Sequence, residues 1–332
     1  MVYPNEKEKA IYNYSEDLIK ETETEGLTFT GGKPFSFPFY KSLSNKQIHI
    51  QHEYNLLGWY GLPFQFILLF YKLCFKKLIL TMHTVISKES KRIGFMRYMF
   101  YNISNFIIRI CANKIIVHSQ VFKNLLIKDY RFEEERISVI RHGVKEVPKF
   151  DKEKIKKELG LKGKISLIIG TFHPDHQPHL IINQTNKIGK EVVVVFNSGR
   201  LNNKCLEYFG NINKKSCRMI DIAKEHKDKW WEFFYAADLV ILPYIDGIGS
   251  GIFQDAMATR TPVVCSDTEY FREMLEDYNC GAIAFNDNDY PRAIEFTMEN
   301  LSRLKVGCNM YADKYSVKNM AKKTLGVYNE NN

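Results

Sequence analysis

The chain has 332 residues, 45% of them hydrophobic, with 47 basic against 38 acidic side chains and a formal net charge of +9. That is enough apolar material for two cores. The seven cysteines, at 74, 111, 205, 217, 265, 280 and 308, make no C-x-x-C and no zinc-spaced set, which argues against a disulfide scaffold and for reduced thiols in a cytosolic protein.

The opening M-V-Y-P-N-E-K-E-K-A shows no apolar core of a secretory signal. Ala10 to Glu21 then spaces Ile11, Tyr14, Leu18 and Ile19 as an amphipathic helix, and Gln47 to Gln51 alternates like a strand that ends in His52-Glu53-Tyr54-Asn55. An apolar helix is expected over Leu62 to Phe75, followed by a strand at Leu78 to Met82 that delivers His83 at its end. Phe95 to Cys111 reads as a second apolar helix, Lys114 to His118 as a strand leading into Ser119, and Ile137 to Ile140 as a strand running into Arg141-His142-Gly143. Near Pro148 the character changes. Asp151 to Leu159 is a charged helix, and Ser166 to Gly170, Val192 to Phe196, Leu239 to Leu242 and Val263 to Ser266 form a new strand series. Strands alternating with helices in both halves predict two doubly wound α/β domains.

Charge is unevenly spread. Residues 62 to 128 hold eight Lys and three Arg against Glu89 alone, a balance of +10, so the remainder is close to neutral. Leu62 to Leu80 contains Pro63, Gln65, Lys72, Lys76 and Lys77, and its apolar core is shorter than the roughly twenty residues of a membrane span. The basic, aromatic neighbourhood reads either as a surface for an anionic membrane or as a solvated face on a core helix. Nucleic acid is not expected as a partner, because no reader motif accompanies the charge.

The stretch Tyr235 to Asp267 is the most informative. An apolar strand closed by Pro243 leads into a loop with Gly247, Gly249 and Gly251, and Ser250 is placed to cap a helix starting near Ile252, with Asp255 one turn in. Free backbone N–H groups and the positive end of a helix dipole then face one spot, which is how an α/β protein holds an anion. The spacing is not G-x-G-x-x-G, so a dinucleotide is not indicated. The segments A-A-D-L-V-I-L-P and D-A-M-A-T-R-T-P-V-V-C-S resemble the donor site of group 1 (family 4-like) retaining glycosyltransferases of the GT-B fold.

The resemblance covers Ile48 to Tyr328 and implies two Rossmann-like domains facing a cleft. These are an acceptor-side domain at 1–147, with a terminal helix at 310–330 packing back on it, and a nucleotide-sugar domain at 148–309. It implies sugar transfer from a nucleotide sugar to a glycan, lipid-linked or cell-surface acceptor, with retention, without a bound metal or other cofactor, in the cytoplasm or peripherally on the inner membrane face. His83 falls where the family places a histidine against the donor sugar, and Asp255 falls on the second of two paired glutamates, which binds the ribose. Gly249, Ser250 and Gly251 fall on the diphosphate loop, and His52 and Glu53 on an acceptor-side H-x-E-Y-type segment. The first paired glutamate is replaced by Gly247, and the loop G-R-x-x-x-x-x-K-G by Gly170-Thr-Phe-His-Pro-Asp-His-Gln-Pro178, so His173, His176 or Arg200 would have to meet the diphosphate. In the family a first strand and a glycine loop precede the helix at Ala10, and with nine residues before it that strand reads as truncated or missing. His118-Ser119 and Arg141-His142-Gly143 are expected to shape the cleft and the turn between domains. Asp287-Asn288-Asp289 reads as a solvated turn and helix cap instead of a metal-binding D-x-D, and no G-x-S-x-G elbow suggests a hydrolase.

Overall fold

The computed structural model describes residues 10–23, 47–54, 62–74, 77–88, 94–170, 191–198, 217–226, 229–245 and 249–330. The chain divides into two compact units, one of residues 1–143 with 317–332 and the other of residues 144–316.

The first unit contains α1 (Ala10–Glu23), β1 (Gln47–His52), α2 (Leu62–Cys74), β2 (Lys77–Met82), α3 (Phe95–Cys111), β3 (Lys114–Val117), α4 (Gln120–Tyr130) and β4 (Ile137–Val139). Its described strands form one parallel sheet in the order β1-β2-β3-β4. Parallel strands buried on both faces lose the alternation of a half-solvated strand. Accordingly β1 is buried at every position after Gln47, including His49 and Gln51. Tyr14 and Leu18 of α1 cover one side of the sheet at Ile79 and Ile116, together with Met320, Ala321 and Val327 from the end of the chain.

The second unit holds α5 (Lys152–Glu158), β5 (Ile165–Ile169), β6 (Glu191–Phe196), β7 (Arg218–Asp221), α6 (Trp230–Ala236), β8 (Leu239–Leu242), α7 (Gly251–Ala258), β9 (Val263–Ser266), α8 (Glu269–Glu276), β10 (Gly281–Ala284), α9 (Tyr290–Glu299) and α10 (Leu301–Lys314). Its sheet is parallel throughout, in the order β10-β9-β8-β5-β6-β7. The strand order reverses between β5 and β8, which creates a topological switch point. Val192, Val194, Leu239, Ile241 and Val264 meet Tyr290, Ile294 and Met298 of α9 in the core on one face. Asp238, at the start of β8, ties this unit together. Its carboxylate accepts from the Ile165 N–H at 2.8 Å and from Lys152 Nζ at 2.7 Å.

The last helix, α11 (Val317–Asn329), starts later than the 310–330 expected from sequence. Residues 310–316 stay with the second unit, where the Tyr311 ring meets Phe253 and Tyr278. The chain returns at Val317, and the other crossing is at Gly143, where a Cβ would stand 2.8 Å from the Val317 Cα. Asp287–Asp289 is a 3-10 turn capped by Asn286 that leads into α9, in keeping with the turn reading. The counterpart of a first strand would fall at residues 1–9, outside the described residues.

Candidate functional site

At the switch point of the second unit, β5 leads into Gly170 at φ +131, a conformation L side chains rarely adopt, and a Cβ there would stand 3.3 Å from the Ile252 side chain. Glycine therefore lets the end of β5 lie against the first turn of α7. That turn is capped as the sequence predicts: Ser250 Oγ accepts from the Phe253 N–H at 3.1 Å. Ser250 is nevertheless buried. Its hydroxyl shares a 3.0 Å hydrogen bond with the Tyr244 hydroxyl, and its N–H points to the Tyr270 hydroxyl at 3.5 Å. Ser250, expected to present its N–H to a ligand, thus acts as the buried cap that fixes the loop. Gly249 is half-buried and Gly251 exposed, with open space where a Cβ would go on Gly251. Close approach of a neighbour does not require glycine at 251.

Asp255 lies one turn into α7 and is half-buried. Its Oδ2 accepts from the Trp230 indole N–H at 3.1 Å, so the carboxylate is oriented from α6. Trp230 was not singled out from sequence, since nothing local connects it to a residue 25 positions later. A second carboxylate, Asp221, closes β7 and accepts from the backbone N–H groups of Ser198 and Ala223 at 3.0 and 3.1 Å. Burial opposes its charge, but the bonds from Ser198 and Ala223 hold its pKa below the usual carboxylate value. An acid closing an apolar strand, as in R-M-I-D, was the available signal. His173, Arg200, His176 and Gly247 lie outside the described residues.

The first unit gathers histidines along the C-terminal edge of its sheet. His118 Nδ1 stands 2.8 Å from the Ile140 carbonyl, which only accepts, so this nitrogen carries the proton. Burial lowers the His118 pKa to about 4, so the ring is neutral and its Nε2 accepts from His83 Nδ1 at 3.1 Å. Burial, and then the neighbouring His118, push the His83 pKa far down as well. His83 Nε2 is therefore an acceptor. Gln51 Oε1 stands 2.9 Å from it, and turning that amide by half a rotation places a donor there instead. Both ring nitrogens of His83 are thus engaged inside the unit. Tyr14 lies edge-on to His83 and His118 and tilted to His142, with centroids 4.8, 5.3 and 5.0 Å away.

His52 does not face the surface, contrary to the acceptor-side expectation. It is 1% exposed, packed between the rings of Tyr54 and Phe64, with no hydrogen-bond partner for either nitrogen, and burial lowers its pKa to about 3. Glu53 is half-buried and accepts from Thr84 Oγ1 at 3.0 Å; burial raises its pKa, and the bonds from Thr84 and Tyr54 act the other way. Ser119 caps α4 through the Phe122 N–H. Among the described residues no group of three or more His, Cys, Asp or Glu is placed to hold a metal.

Residues 150–306 match the family model described as glycosyl transferases group 1. Among solved structures, HepE of Anabaena in complex with UDP and glucose superposes with a TM-score of 0.73 at 13% identity, over 98% of this chain and 98% of that one. A glycosyltransferase from Rickettsia africae ESF-5 gives 0.65 at 14% identity, over 98% of this chain and 96% of that one. WaaG, a glycosyltransferase involved in lipopolysaccharide biosynthesis, gives 0.64 at 14% identity, over 99% and 98%. At such identities the likeness is one of fold. No curated protein matches the sequence.

Proposed function

We propose that this chain, a group 1 glycosyl transferase by its residues 150–306 and a GT-B protein by its fold, moves a sugar from a nucleotide-sugar donor to a glycan, lipid-linked or cell-surface acceptor. The observation that carries the reading is the capped N-terminus of α7 at the β5/β8 switch point, with Asp255 one turn in. Open parallel sheets bind ligands beyond the carboxyl ends of their strands at such a point. The first-turn N–H groups there favour the charge that a leaving diphosphate gains as the glycosidic bond breaks. Asp255, held by Trp230, would accept from the two ribose hydroxyls. The structure of HepE with UDP and glucose supports a nucleotide-sugar donor by analogy of fold.

Retention and independence of a bound metal or other cofactor belong to the same proposal, as do cytoplasmic action and a peripheral seat on the inner membrane face. In the first unit, Tyr14 and His118 order His83 at the sheet edge. With both its ring nitrogens engaged, His83 is expected to shape that edge more than to donate a proton.

A second reading, a degenerate relative that binds a partner or a sugar nucleotide without turnover, is favoured by Gly247 in place of an acid and by Thr171 and Gln177 in place of two cations. Thermal shift across a panel of nucleotide sugars, followed by assay of donor hydrolysis for the one that binds, separates the two. Stabilisation with hydrolysis supports the enzyme, stabilisation without hydrolysis supports the sugar-nucleotide-binding relative, and no shift with any donor refutes both of these and leaves only a relative that binds a partner.

A further inference from the structure

The helices α2 and α3 of the first unit carry large apolar side chains on their outward faces as well as on their buried ones. Along α2 the outward residues are Phe66, Leu69, Phe70 and Leu73, spaced i, i+3, i+4, i+7, and Leu73 is 87% exposed. Along α3 they are Met96, Met99, Ile103, Phe106 and Ile110, again one helical stripe, and Met96 is 61% exposed. The inward faces pack Phe64, Ile67, Leu68, Tyr71, Tyr101 and Ile108 around a few buried polar residues. Buried Gln65 donates to buried Ser104 at 2.5 Å, which joins the two helices, and buried Asn105 accepts from the Tyr54 hydroxyl at 3.0 Å. Because α2 and α3 are neighbours through this bond, the two stripes lie side by side. Of the large hydrophobic residues exposed among the described residues, most belong to this face. A continuous apolar surface of this kind marks an interaction site.

The charges around it indicate the partner. Neither helix carries an acid, while Lys72, Arg97 and Arg109 are interspersed with the stripes, and the Arg109 guanidinium lies over the Phe106 ring at 5.4 Å. Residues 62–128 as a whole balance to +10. The hollow at the Ile110 end, lined also by Lys72, Lys114, Glu135 and Arg136, contributes little to this charge, since Glu330 and Glu133 pair with Lys114 and Arg136. Two copies meeting through this face would bring like charges together. An anionic lipid surface instead takes the apolar side chains at the headgroup boundary while its phosphates meet the cations. No helix among the described residues is long and apolar enough to cross a membrane, so the contact is one of lying on the surface.

We infer that the α2/α3 face docks on an anionic bilayer, with Phe66, Leu73, Met96 and Phe106 inserted and Lys72, Arg97 and Arg109 at the phosphate level. This deepens the proposed function by naming the surface on which a lipid-linked acceptor is met, and it rests on that reading only for the acceptor. The test is co-sedimentation of the full chain with vesicles of phosphatidylcholine alone or mixed with phosphatidylglycerol. Binding to the mixed vesicles, weakened by salt, is expected, with recovery in the supernatant from the neutral ones. Phe66→Asp with Leu73→Asp should lower the bound fraction by about tenfold or more, and Lys72→Glu with Arg97→Glu should do the same. These side chains are exposed, so unchanged circular dichroism is expected to confirm folding. Equal recovery with both vesicle types, or variants that bind as well as the parent, would overturn the inference. So would a soluble dimer that Leu73→Asp dissociates, which would make a second copy the occupant. Nucleotide-sugar affinity measured without vesicles separates the two proposals: lost donor binding with retained vesicle binding defeats the function and leaves the face.

Discussion

Acidification tests the histidine edge of the first unit most directly. Burial lowers the pKa of His49 to about 3, of His52 to about 3 and of His118 to about 4, each from an ordinary 6.5. A base whose folded pKa is lowered takes up its proton first in the unfolded chain. Stability from these residues is therefore complete above about pH 6.5 and is lost as pH falls toward the folded values. Each contributes a slope of about 1.4 kcal/mol per pH unit, so acidification to about pH 5 costs about 2 kcal/mol per residue and about 6 kcal/mol for the three. His83 acts in the same direction, and Glu53, whose pKa burial raises, offsets part of the loss. A domain is stable by only about 5–15 kcal/mol. Urea unfolding followed by circular dichroism from about pH 7.5 to about pH 5 should show a steep fall in the free energy of unfolding. His52→Leu, which keeps the space between Tyr54 and Phe64 filled, should reduce the slope by about one proton, or about 1.4 kcal/mol per pH unit. A stability that stays flat or rises over this range would refute the buried, neutral histidine edge.

Asp255→Ala should weaken nucleotide-sugar binding by about 3 kcal/mol, roughly a hundredfold, with the fold intact. Trp230→Phe, which removes the indole N–H but not the ring, should weaken it by about tenfold, and calorimetry showing full affinity in both variants would make Asp255 a plain helix residue. Asp238→Ala leaves the Ile165 N–H and Lys152 without their acceptor and should cost about 3 kcal/mol in urea unfolding. Burial works against the Asp238 charge, but Lys152 and the Ile165 N–H hold its pKa below the ordinary value. Its contribution is thus present above the unfolded carboxylate pKa and is lost as pH falls through the lowered folded value. Gly307→Ala would place a Cβ 1.9 Å from the Tyr278 carbonyl oxygen and should cost more than about 3 kcal/mol, whereas Gly251→Ala meets open space and should fold normally. Comparable melting temperatures for these two glycine variants would contradict the packing of α10 on the Tyr278 turn.

Where a signal is local, the sequence carries it. Leu239–Leu242 and Val263–Ser266 are strands with the expected bounds, and Ser250 caps α7, because apolar runs, prolines and capping hydroxyls act within a few residues. The directions of side chains were less legible. The alternation Q-I-H-I-Q suggests that His49 and Gln51 face water, yet both are buried, and His49 meets Tyr328 at 2.6 Å and Thr81 at 2.8 Å from distant parts of the chain. The sheet had to be parallel and covered on both faces before those polar positions could be placed inside. The same limit applies to α2 and α3, whose periodicity identifies two faces without saying which is outward. It applies again to Trp230, which reaches Asp255 only after α6 and α7 pack. The change of unit after Ser316 rather than near residue 310 goes with Tyr311, which meets Phe253 and Tyr278 edge-on and Tyr315 at a tilt, a cluster assembled from separate elements and turns.

On the proposed reading the donor diphosphate needs a cation, and the residue described one turn into α7, Asp255, is an acceptor. The segment between Gly170 and Arg200 offers His173, His176 and Arg200. A guanidinium is charged at every physiological pH and binds two phosphate oxygens at once, whereas an exposed imidazole loses its charge near pH 6.5. The two supports therefore differ in pH dependence. With Arg200 as the diphosphate residue, donor affinity is level from about pH 6 to about pH 8, and Arg200→Ala lowers it about a hundredfold, with Arg200→Lys recovering only part. With a histidine in that role, affinity falls by up to about tenfold per pH unit above about pH 6.5, and Arg200→Ala is silent. The level profile is expected, because a site that must hold a dianion at neutral pH gains little from a group mostly uncharged there. A falling profile that His173→Ala abolishes would transfer the role to the imidazole.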